Sequence, residues 1–215
     1  MLTNSSAVSE QAAGLTQDRV LEILIQHGAI LEGHFVLRSG LHSQKFVAKD
    51  ALCVDWEVIS LLCEGLVIPF IGDGIEVIAS PATAGVAFSQ WCAYHLSRLT
   101  GKKVKAVWAD KMPNDTFAIR RVFPEHVKDR RILCVEDILT KGDSAAQTVQ
   151  AVREVGGDVR GTTVIVNRGG VTAEKLGVSK LSALLNLNTP HFEPAKGKCP
   201  GCDADLPLQK PGGVR

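Results

Sequence analysis

Apolar and polar residues alternate along the chain with two spacings, one typical of helices and the other of buried strands. Helical spacing predicts a short helix from an N-cap at Asp18 to Gly28, and a long helix from Asp55 to about Val67. Four short apolar runs predict buried strands: IEVIAS, VKAVWA, RILCVED and RGTTVIV. One helix is predicted between the first two of these strands, and another between the last two. Such strands pair in parallel when helices cover both faces of the sheet. We therefore expect an α/β fold with a doubly wound, mainly parallel sheet.

The N-terminal part of the chain has a different pattern. In GHFVLRSGLHSQKFVAKD, two short β-prone pieces flank Ser39 and Gly40, which predicts a hairpin or a pair of edge strands. We predict a helix and small hood over residues 1–54, a core over 55–190, and a C-terminal tail over 191–215 that packs on the hood or the core.

Length and charge narrow the classes of function. A chain of 215 residues with 45% hydrophobic and 22% charged residues is long enough for one ordered domain with a sizeable core. Because 24 Lys and Arg residues nearly balance 23 Asp and Glu residues, no broad field favours nucleic acid or an anionic membrane. The sequence shows no secretory signal and no apolar window of about 18 residues. We expect a cytoplasmic enzyme that binds any anion locally.

The cysteines divide into two groups. Four lie in apolar segments, where cysteine usually packs as a small core residue: Cys53, Cys63, Cys92 and Cys134. Cys199 and Cys202 form a CxxC pair, but no second Cys or His pair stands at zinc-finger spacing. This disfavours a structural zinc, and chance spacing or a redox-sensitive tail is the simpler interpretation.

The segment ILCVEDILTKGDSAAQ carries the most specific chemistry. A predicted strand ends in Glu136 and Asp137, and a turn from Thr140 to Ser144 leads directly into a predicted helix. A helix N-terminus offers free N–H groups to a phosphate, Gly142 permits close approach, and the two hydroxyls add donors. Two carboxylates would repel a phosphate but suit ribose hydroxyls and developing positive charge on a sugar ring. The alternative is an ordinary strand-to-helix turn capped by Ser144.

VEDILTKGDS resembles the phosphoribosyl-diphosphate motif of type I phosphoribosyltransferases, in which two acids and two apolar residues precede a Thr/Gly/Ser loop. It departs from the motif at two positions. Family loops commonly have Thr or Ala where this chain has Lys141, and Gly or Thr where it has Asp143. The resemblance implies the type I phosphoribosyltransferase fold. It also implies a binding site for 5-phosphoribosyl 1-diphosphate (PRPP) made by Glu136, Asp137, Ile138, Leu139, Thr140, Lys141, Gly142, Asp143 and Ser144.

Two further segments are similar to those of the orotate phosphoribosyltransferases. LEGHFVLRSGLHSQKF resembles their hood signature, which implies that Arg38 reaches both substrates. Family members often carry an aromatic residue at the position of Lys45, and here the neighbouring Phe46 supplies one. VIVNRGG resembles the strand end that places an arginine, here Arg168, on the orotate carboxylate, with Asn167 in place of the usual Asp. The resemblance also assigns Thr140 of the phosphate loop to orotate binding.

The remaining similar segments concern the diphosphate. ASPATAGVAFSQ resembles the family's diphosphate loop, formed here by Ser80, Pro81, Ala82, Thr83, Ala84 and Gly85. VWADKMPNDTFAIRR resembles the flexible catalytic loop, with Lys111 as its lysine and Arg120 and Arg121 as candidate helpers. In the family this loop reaches the neighbouring subunit's site, which implies a homodimer. CPGCDADLPLQKPGG resembles a tail of one orotate-type subgroup.

Together these resemblances imply transfer of a phosphoribosyl group from PRPP to orotate, with Lys111, Glu136 and Asp137 as catalytic residues. Mg²⁺ would arrive with the diphosphate and be held mainly by substrate, with no direct protein ligand. Two alternatives remain open: a phosphoribosyltransferase for another base, and a non-catalytic regulatory protein of the same fold, since some family members bind nucleic acid. The balanced charge argues against a nucleic-acid partner.

Overall fold

The computed structural model describes residues 12–210 except 13, 38, 39, 188, 195, 196 and 198. The helices are α1 (Gln17–Gln26), α2 (Trp56–Val67), α3 (Gly85–Thr100), α4 (Pro124–Val127), α5 (Asp143–Glu154), α6 (Ala173–Leu176) and α7 (Pro200–Asp203). The strands are β1 (Ile30–Val36), β2 (His42–Val47), β3 (Val77–Pro81), β4 (Lys105–Lys111), β5 (Phe117–Ile119), β6 (Arg131–Leu139), β7 (Asp158–Asn167), β8 (Leu181–Asn186), β9 (His191–Phe192) and β10 (Leu208–Gln209). Short 3-10 helices lie at Lys49–Cys53 and Ile68–Asp73.

The larger sheet has six strands in the order β5-β4-β3-β6-β7-β8. All neighbouring pairs are parallel except β4 with β5, which confirms the predicted mainly parallel α/β sheet. From β3 the chain moves to β4 on one side, and from β6 it moves to β7 and β8 on the other. The boundary between β3 and β6 is therefore a topological switch point, where open α/β sheets bind their ligands.

Both faces of this sheet are buried, which explains its continuous apolar strands. In β6, Ile132 and Cys134 pack with α5, while Leu133 and Val135 pack with α2 and α3. Because successive side chains of a strand point to opposite faces, every position of the run must be apolar. None of the helices in the described part of the chain is long and apolar enough to cross a membrane.

The smaller sheet has four strands in the order β10-β1-β2-β9, and we call it the hood sheet. Its centre is the predicted hairpin, because β1 and β2 pair antiparallel. Its edges come from the other end of the chain: β9 pairs with β2, and β10 pairs with β1. The two ends of the sequence thus form one sheet.

Two local predictions were wrong. The side chain of Thr16, not Asp18, caps α1 by accepting from the Arg19 N–H at 3.2 Å, and Asp18 lies in the first turn. Thr16 has the extended backbone an N-cap needs, whereas Asp18 benefits from the helix dipole without capping. The segment after β4, predicted as a loop, contains β5, which pairs back on β4 as a hairpin.

Candidate active site

Three loops follow neighbouring strands at the switch point of the larger sheet. Parallel pairing aligns Pro81 of β3 with Ala109 of β4, and Leu139 of β6 with Asn167 of β7. The loops over 80–85, 136–144 and 167–171 therefore leave the same edge of the sheet. The topology brings the predicted diphosphate loop, phosphate loop and Arg168 segment to one region.

The phosphate loop ends in a helix start that no side chain of the described residues caps. Gly142 is the N-cap of α5 and has a φ of 82°, in the left-handed region that favours glycine. Ser144 lies in the first turn and is exposed, so the alternative of a turn capped by Ser144 was wrong. The first N–H groups of α5 therefore remain available to an anion.

The two unusual residues of this loop both face outward. Lys141 and Asp143 are exposed, while Gly142 between them is buried. Asp143 is the first residue of α5, where a carboxylate is stabilised by the helix dipole. This position gives Asp143 a structural reason to be tolerated beside an anion site.

The two acids were predicted to end their strand but lie inside β6, which continues to Leu139; they are nearly inaccessible, with exposed fractions of 7% for Glu136 and 4% for Asp137. Local backbone donors orient both carboxylates. The Asp137 N–H donates to Glu136 Oε1 at 3.2 Å, and the Ile138 N–H donates to Asp137 Oδ1 at 2.7 Å. Buried carboxylates are strong acceptors, and these are oriented by the strand that carries them.

The segment carrying Arg168 is attached to the phosphate loop. The backbone N–H groups of Arg168 and Gly169 both donate to the Leu139 carbonyl, at 2.9 and 3.1 Å. A Cβ atom added at Gly169 would overlap the carbonyl oxygen of Thr140. The two loops are therefore in direct backbone contact, which only a glycine permits.

Asn167 shapes the turn that follows Arg168. Its side-chain amide donates to the Val171 carbonyl at 2.8 Å, and its carbonyl oxygen accepts from the Val171 N–H at 3.0 Å. A carboxylate could accept from Val171 but could not donate to it. The structure thus gives a reason for Asn at this position.

The Arg168 guanidinium is half-buried beside a residue that sequence analysis missed. Its Nη2 lies 3.4 Å from Nε2 of His191, at the edge of the hood sheet. Burial lowers the pKa of Arg168, and burial followed by the Arg168 charge lowers the pKa of His191. Arg168 Nε is buried and finds no hydrogen-bond acceptor among the described residues, which leaves a donor for an anionic ligand. Because His191 lies far along the chain in a two-residue strand, no spacing pattern points to it.

The diphosphate loop provides a second helix start without a side-chain cap. Pro81 ends β3, Ala84 is the N-cap of α3, and no described side chain caps that helix. The Ala82 N–H donates to the Ala109 carbonyl at 2.9 Å, and the small side chains of Ala82 and Ala84 leave room for an anion near the start of α3. Ser80 is fully buried, so it packs beneath the loop in the protein interior and is not accessible to solvent.

Lys111 lies at the exposed end of the hairpin formed by β4 and β5. Its Nζ pairs with Asp115 Oδ1 at 2.8 Å, with both side chains largely exposed. Arg121 pairs with Asp110 at 3.2 Å, and Arg120 Nη1 lies 3.8 Å from the Met112 sulfur. Exposed ion pairs contribute little free energy, so Lys111 is available for another anion.

Two hood residues complete the predicted site. Arg38 lies outside the described residues. Phe46 is half-buried in β2, with its ring 5.8 Å from that of Phe35. Its partial exposure leaves part of the aromatic surface accessible.

The chain is similar in sequence to curated enzymes and in fold to a solved structure. It is 35% identical over 198 residues to the orotate phosphoribosyltransferase of Pelotomaculum thermopropionicum, covering 92% of this chain and 98% of that relative. It is also 35% identical over 205 residues to the orotate phosphoribosyltransferase of Caulobacter vibrioides, covering 94% and 98%. The crystal structure of orotate phosphoribosyltransferase from Aeropyrum pernix matches with a TM-score of 0.61 and 24% identity, over 77% of this chain and 92% of that one. No protein-family model matches the chain.

Proposed function

We propose roles for individual residues from the premise that this chain belongs to the orotate phosphoribosyltransferase family. Its reaction transfers the phosphoribosyl group of PRPP to orotate, giving orotidine 5′-phosphate and diphosphate in pyrimidine synthesis. One observation carries the assignment of roles: the Arg168 segment contacts the phosphate loop through Gly169 and Thr140, so one rigid unit holds both substrates.

The phosphate loop binds the 5′-phosphate of PRPP. The uncapped N-terminus of α5 directs N–H groups and the positive end of its dipole at the anion. Thr140 and Ser144 add hydroxyl donors, and exposed Lys141 adds positive charge. Ile138 and Leu139 contribute through the backbone that leads into the loop.

Glu136 and Asp137 bind the ribose. Their carboxylates accept from the sugar hydroxyls and stabilise the positive charge that develops when diphosphate departs. Catalysis then rests on positioning and charge neutralisation, and no covalent nucleophile is needed.

Arg168 binds the orotate carboxylate. A planar guanidinium meets a planar carboxylate with two charge-assisted hydrogen bonds, each worth about 1.5–3 kcal/mol. Thr140 lies beside this segment and contacts the base, Phe46 supplies an aromatic surface, and Arg38 reaches both substrates. Held this way, the ring nitrogen of orotate faces the anomeric carbon.

The loop over Ser80–Gly85 binds the diphosphate, and Lys111 neutralises its charge as it leaves. Oxygen donors suit Mg²⁺, and the oxygens of the diphosphate and the ribose supply them, so this ion would be held mainly by substrate. Bound Mg²⁺ would neutralise the diphosphate and make it a better leaving group. We propose that the β4–β5 hairpin serves the partner's site in a homodimer, which its exposure allows.

A cytoplasmic location is part of this proposal. All six cysteines are free thiols in the structure, and thiols persist in reducing compartments. No substrate of the proposed reaction is a nucleic acid or a membrane lipid.

Two substitutions separate the proposed roles. Arg168→Ala removes the carboxylate clamp, so the KM for orotate rises about 100-fold or more while PRPP binding by calorimetry changes little. Lys111→Ala lowers kcat while orotidine 5′-phosphate still binds. Arg160→Ala and Lys102→Ala, which alter exposed cations elsewhere, are the matched controls.

Equal losses of every parameter in both variants would contradict these roles. A separate comparison of orotate, uracil, hypoxanthine and adenine as acceptors tests the base. Faster transfer to any of the other three would overturn the choice of orotate.

A further inference from the structure

Two histidines and two cysteines meet where the C-terminal segment contacts the central hairpin of the hood sheet. The ligand atoms of His34, His42, Cys199 and Cys202 all lie within 4.8 Å of one another. The two histidines come from β1 and β2, and the two cysteines flank and belong to α7. The first three residues are buried, while Cys202 is exposed.

The distances suit a tetrahedral ion. Zn–S bonds of about 2.3 Å and Zn–N bonds of about 2.05 Å at tetrahedral angles place sulfur and nitrogen about 3.5 Å apart. The four sulfur-to-nitrogen distances are 3.4 and 3.6 Å for Cys199, and 3.6 and 3.3 Å for Cys202. His34 Nε2 and His42 Nδ1 are 2.8 Å apart, so these two nitrogens would separate by about 0.5 Å around an ion.

The surroundings orient His34 as a ligand. Its other ring nitrogen, Nδ1, lies 2.9 Å from the Leu206 carbonyl oxygen, which can only accept a hydrogen bond. The proton therefore resides on Nδ1, and Nε2 presents its lone pair to the two sulfurs. A backbone carbonyl on the second nitrogen is the usual support for a metal-binding histidine.

The CPGC turn is built for contact with this imidazole. A Cβ atom added at Gly201 would lie 2.5 Å from Cγ and Cδ2 of His34. Glycine at this place lets the turn press its backbone against the ring, with Cys199 and Cys202 on either side.

We propose that His34, His42, Cys199 and Cys202 bind one structural Zn²⁺, which joins the C-terminal segment to the hood hairpin. Two thiols release their protons to solvent on binding, so the charge of the ion and its ligands is zero. A neutral group of this kind suits a largely buried place. Four protein ligands leave no open position, which is typical of structural rather than catalytic zinc.

The site explains how a short segment stays on the hood sheet. The strand pairings of the C-terminal segment are small: β10 matches two residues of β1, and β9 matches two residues of β2. Two-residue strands contribute little free energy by themselves, whereas a metal bridge closes a chain segment of more than 150 residues. This inference is independent of the transfer reaction, because no substrate role is assigned to the four ligands.

The experiment measures zinc in the full chain, made without a histidine tag and purified with reductant but without chelator. We expect about one Zn²⁺ per chain by elemental analysis. X-ray absorption at the zinc edge should show two sulfurs at about 2.3 Å and two nitrogens at about 2.0 Å. Co²⁺ exchanged into the same protein should give the visible bands of a tetrahedral ion and a thiolate charge-transfer band.

The variants test which side chains bind the ion. Cys199→Ser/Cys202→Ser should lose the zinc and lower the Tm, whereas Cys53→Ser, at another exposed cysteine, should keep both. Should the double variant fail to fold, the absorption spectra of the unaltered chain decide the ligand set.

The proposal is overturned by a chain that binds no zinc after refolding with Zn²⁺, by an all-oxygen or all-nitrogen spectrum, or by zinc retained in the double variant. Peptide mapping that finds a Cys199–Cys202 disulfide in the purified, denatured chain would also overturn it.

Discussion

Gly169→Ala tests whether the contact between the Arg168 segment and the phosphate loop organises the active site. The added Cβ would overlap the Thr140 carbonyl oxygen and lie 2.6 Å from its carbonyl carbon. Both atoms belong to the backbone, so no side chain can rotate away. One loop must therefore withdraw from the other.

The size of the effect follows from that distance. Ordinary contact begins near 3.4 Å, and the overlapped oxygen is closer than the carbon, so the loops must separate by more than about 1 Å. The movement strains the hydrogen bonds from Arg168 and Gly169 to the Leu139 carbonyl. Misplacement of about 1 Å can cost about 100-fold in rate, which corresponds to about 2.7 kcal/mol of transition-state stabilisation.

Loss of orotate absorbance under saturating and limiting PRPP gives kcat/KM for each substrate. We expect both values to fall about 100-fold in Gly169→Ala, because the two binding elements move apart. Gly170→Ala is the control: its Cβ would meet nothing within 4 Å, although a φ of 59° adds strain. Gly170→Ala should lose some stability and keep most activity. Rates within twofold of the unaltered enzyme for Gly169→Ala would refute the reasoning.

Two more predictions concern single titratable residues. Asp137→Asn should weaken PRPP binding in calorimetry and slow turnover, because it removes the charge that we propose faces the ribose; unchanged PRPP affinity together with normal rates would show that assignment to be wrong. Desolvation lowers the pKa of buried His95, against the opposing charge of Glu64, with Arg98 adding to the decrease. The unfolded chain then binds this proton more tightly, so the free energy of unfolding falls as pH drops below about 6.5 toward the lowered native pKa. His95→Gln should reduce that fall in urea titrations at about pH 7.5 and pH 5.5, and an equally steep fall in the variant would contradict it.

The central strands could be predicted because burial on both faces leaves an unambiguous apolar run. The edge strands could not: β8 is mostly half-buried, and β5 has three residues that form a strand only by pairing with β4. The contribution of Asn167 was also invisible, because its two bonds to Val171 depend on a turn that sequence alone does not specify. The N-cap of α1 was mispredicted because Thr16 and Asp18 are both common capping residues and stand only two residues apart.

The predicted chemistry of the phosphate loop depended on residues close in sequence, whereas the missed contacts join distant ones. Glu136 to Ser144 is one continuous segment, so its order already indicates which atoms meet. Arg168 and His191 are 23 residues apart and meet only because β9 returns to the hood sheet. Local spacing carries no information on such a contact.

The histidine pair shows why spacing rules drawn from zinc fingers did not reveal the cluster. In the hairpin, Val36 pairs with His42, and the register shifts between Glu32 and Phe35, a stretch that contains His34. A local irregularity of this kind redirects a side chain, and the two imidazole rings lie with their centroids 4.7 Å apart. A second ligand pair should therefore be sought at hairpin spacing as well as at helical spacing. His42 also pairs with Phe192, which adjoins His191 and so the Arg168 contact. His42, one of the residues that would hold the metal, thus lies on the strand next to the one that carries His191, and the C-terminal segment pairs with the hood on both sides of the hairpin.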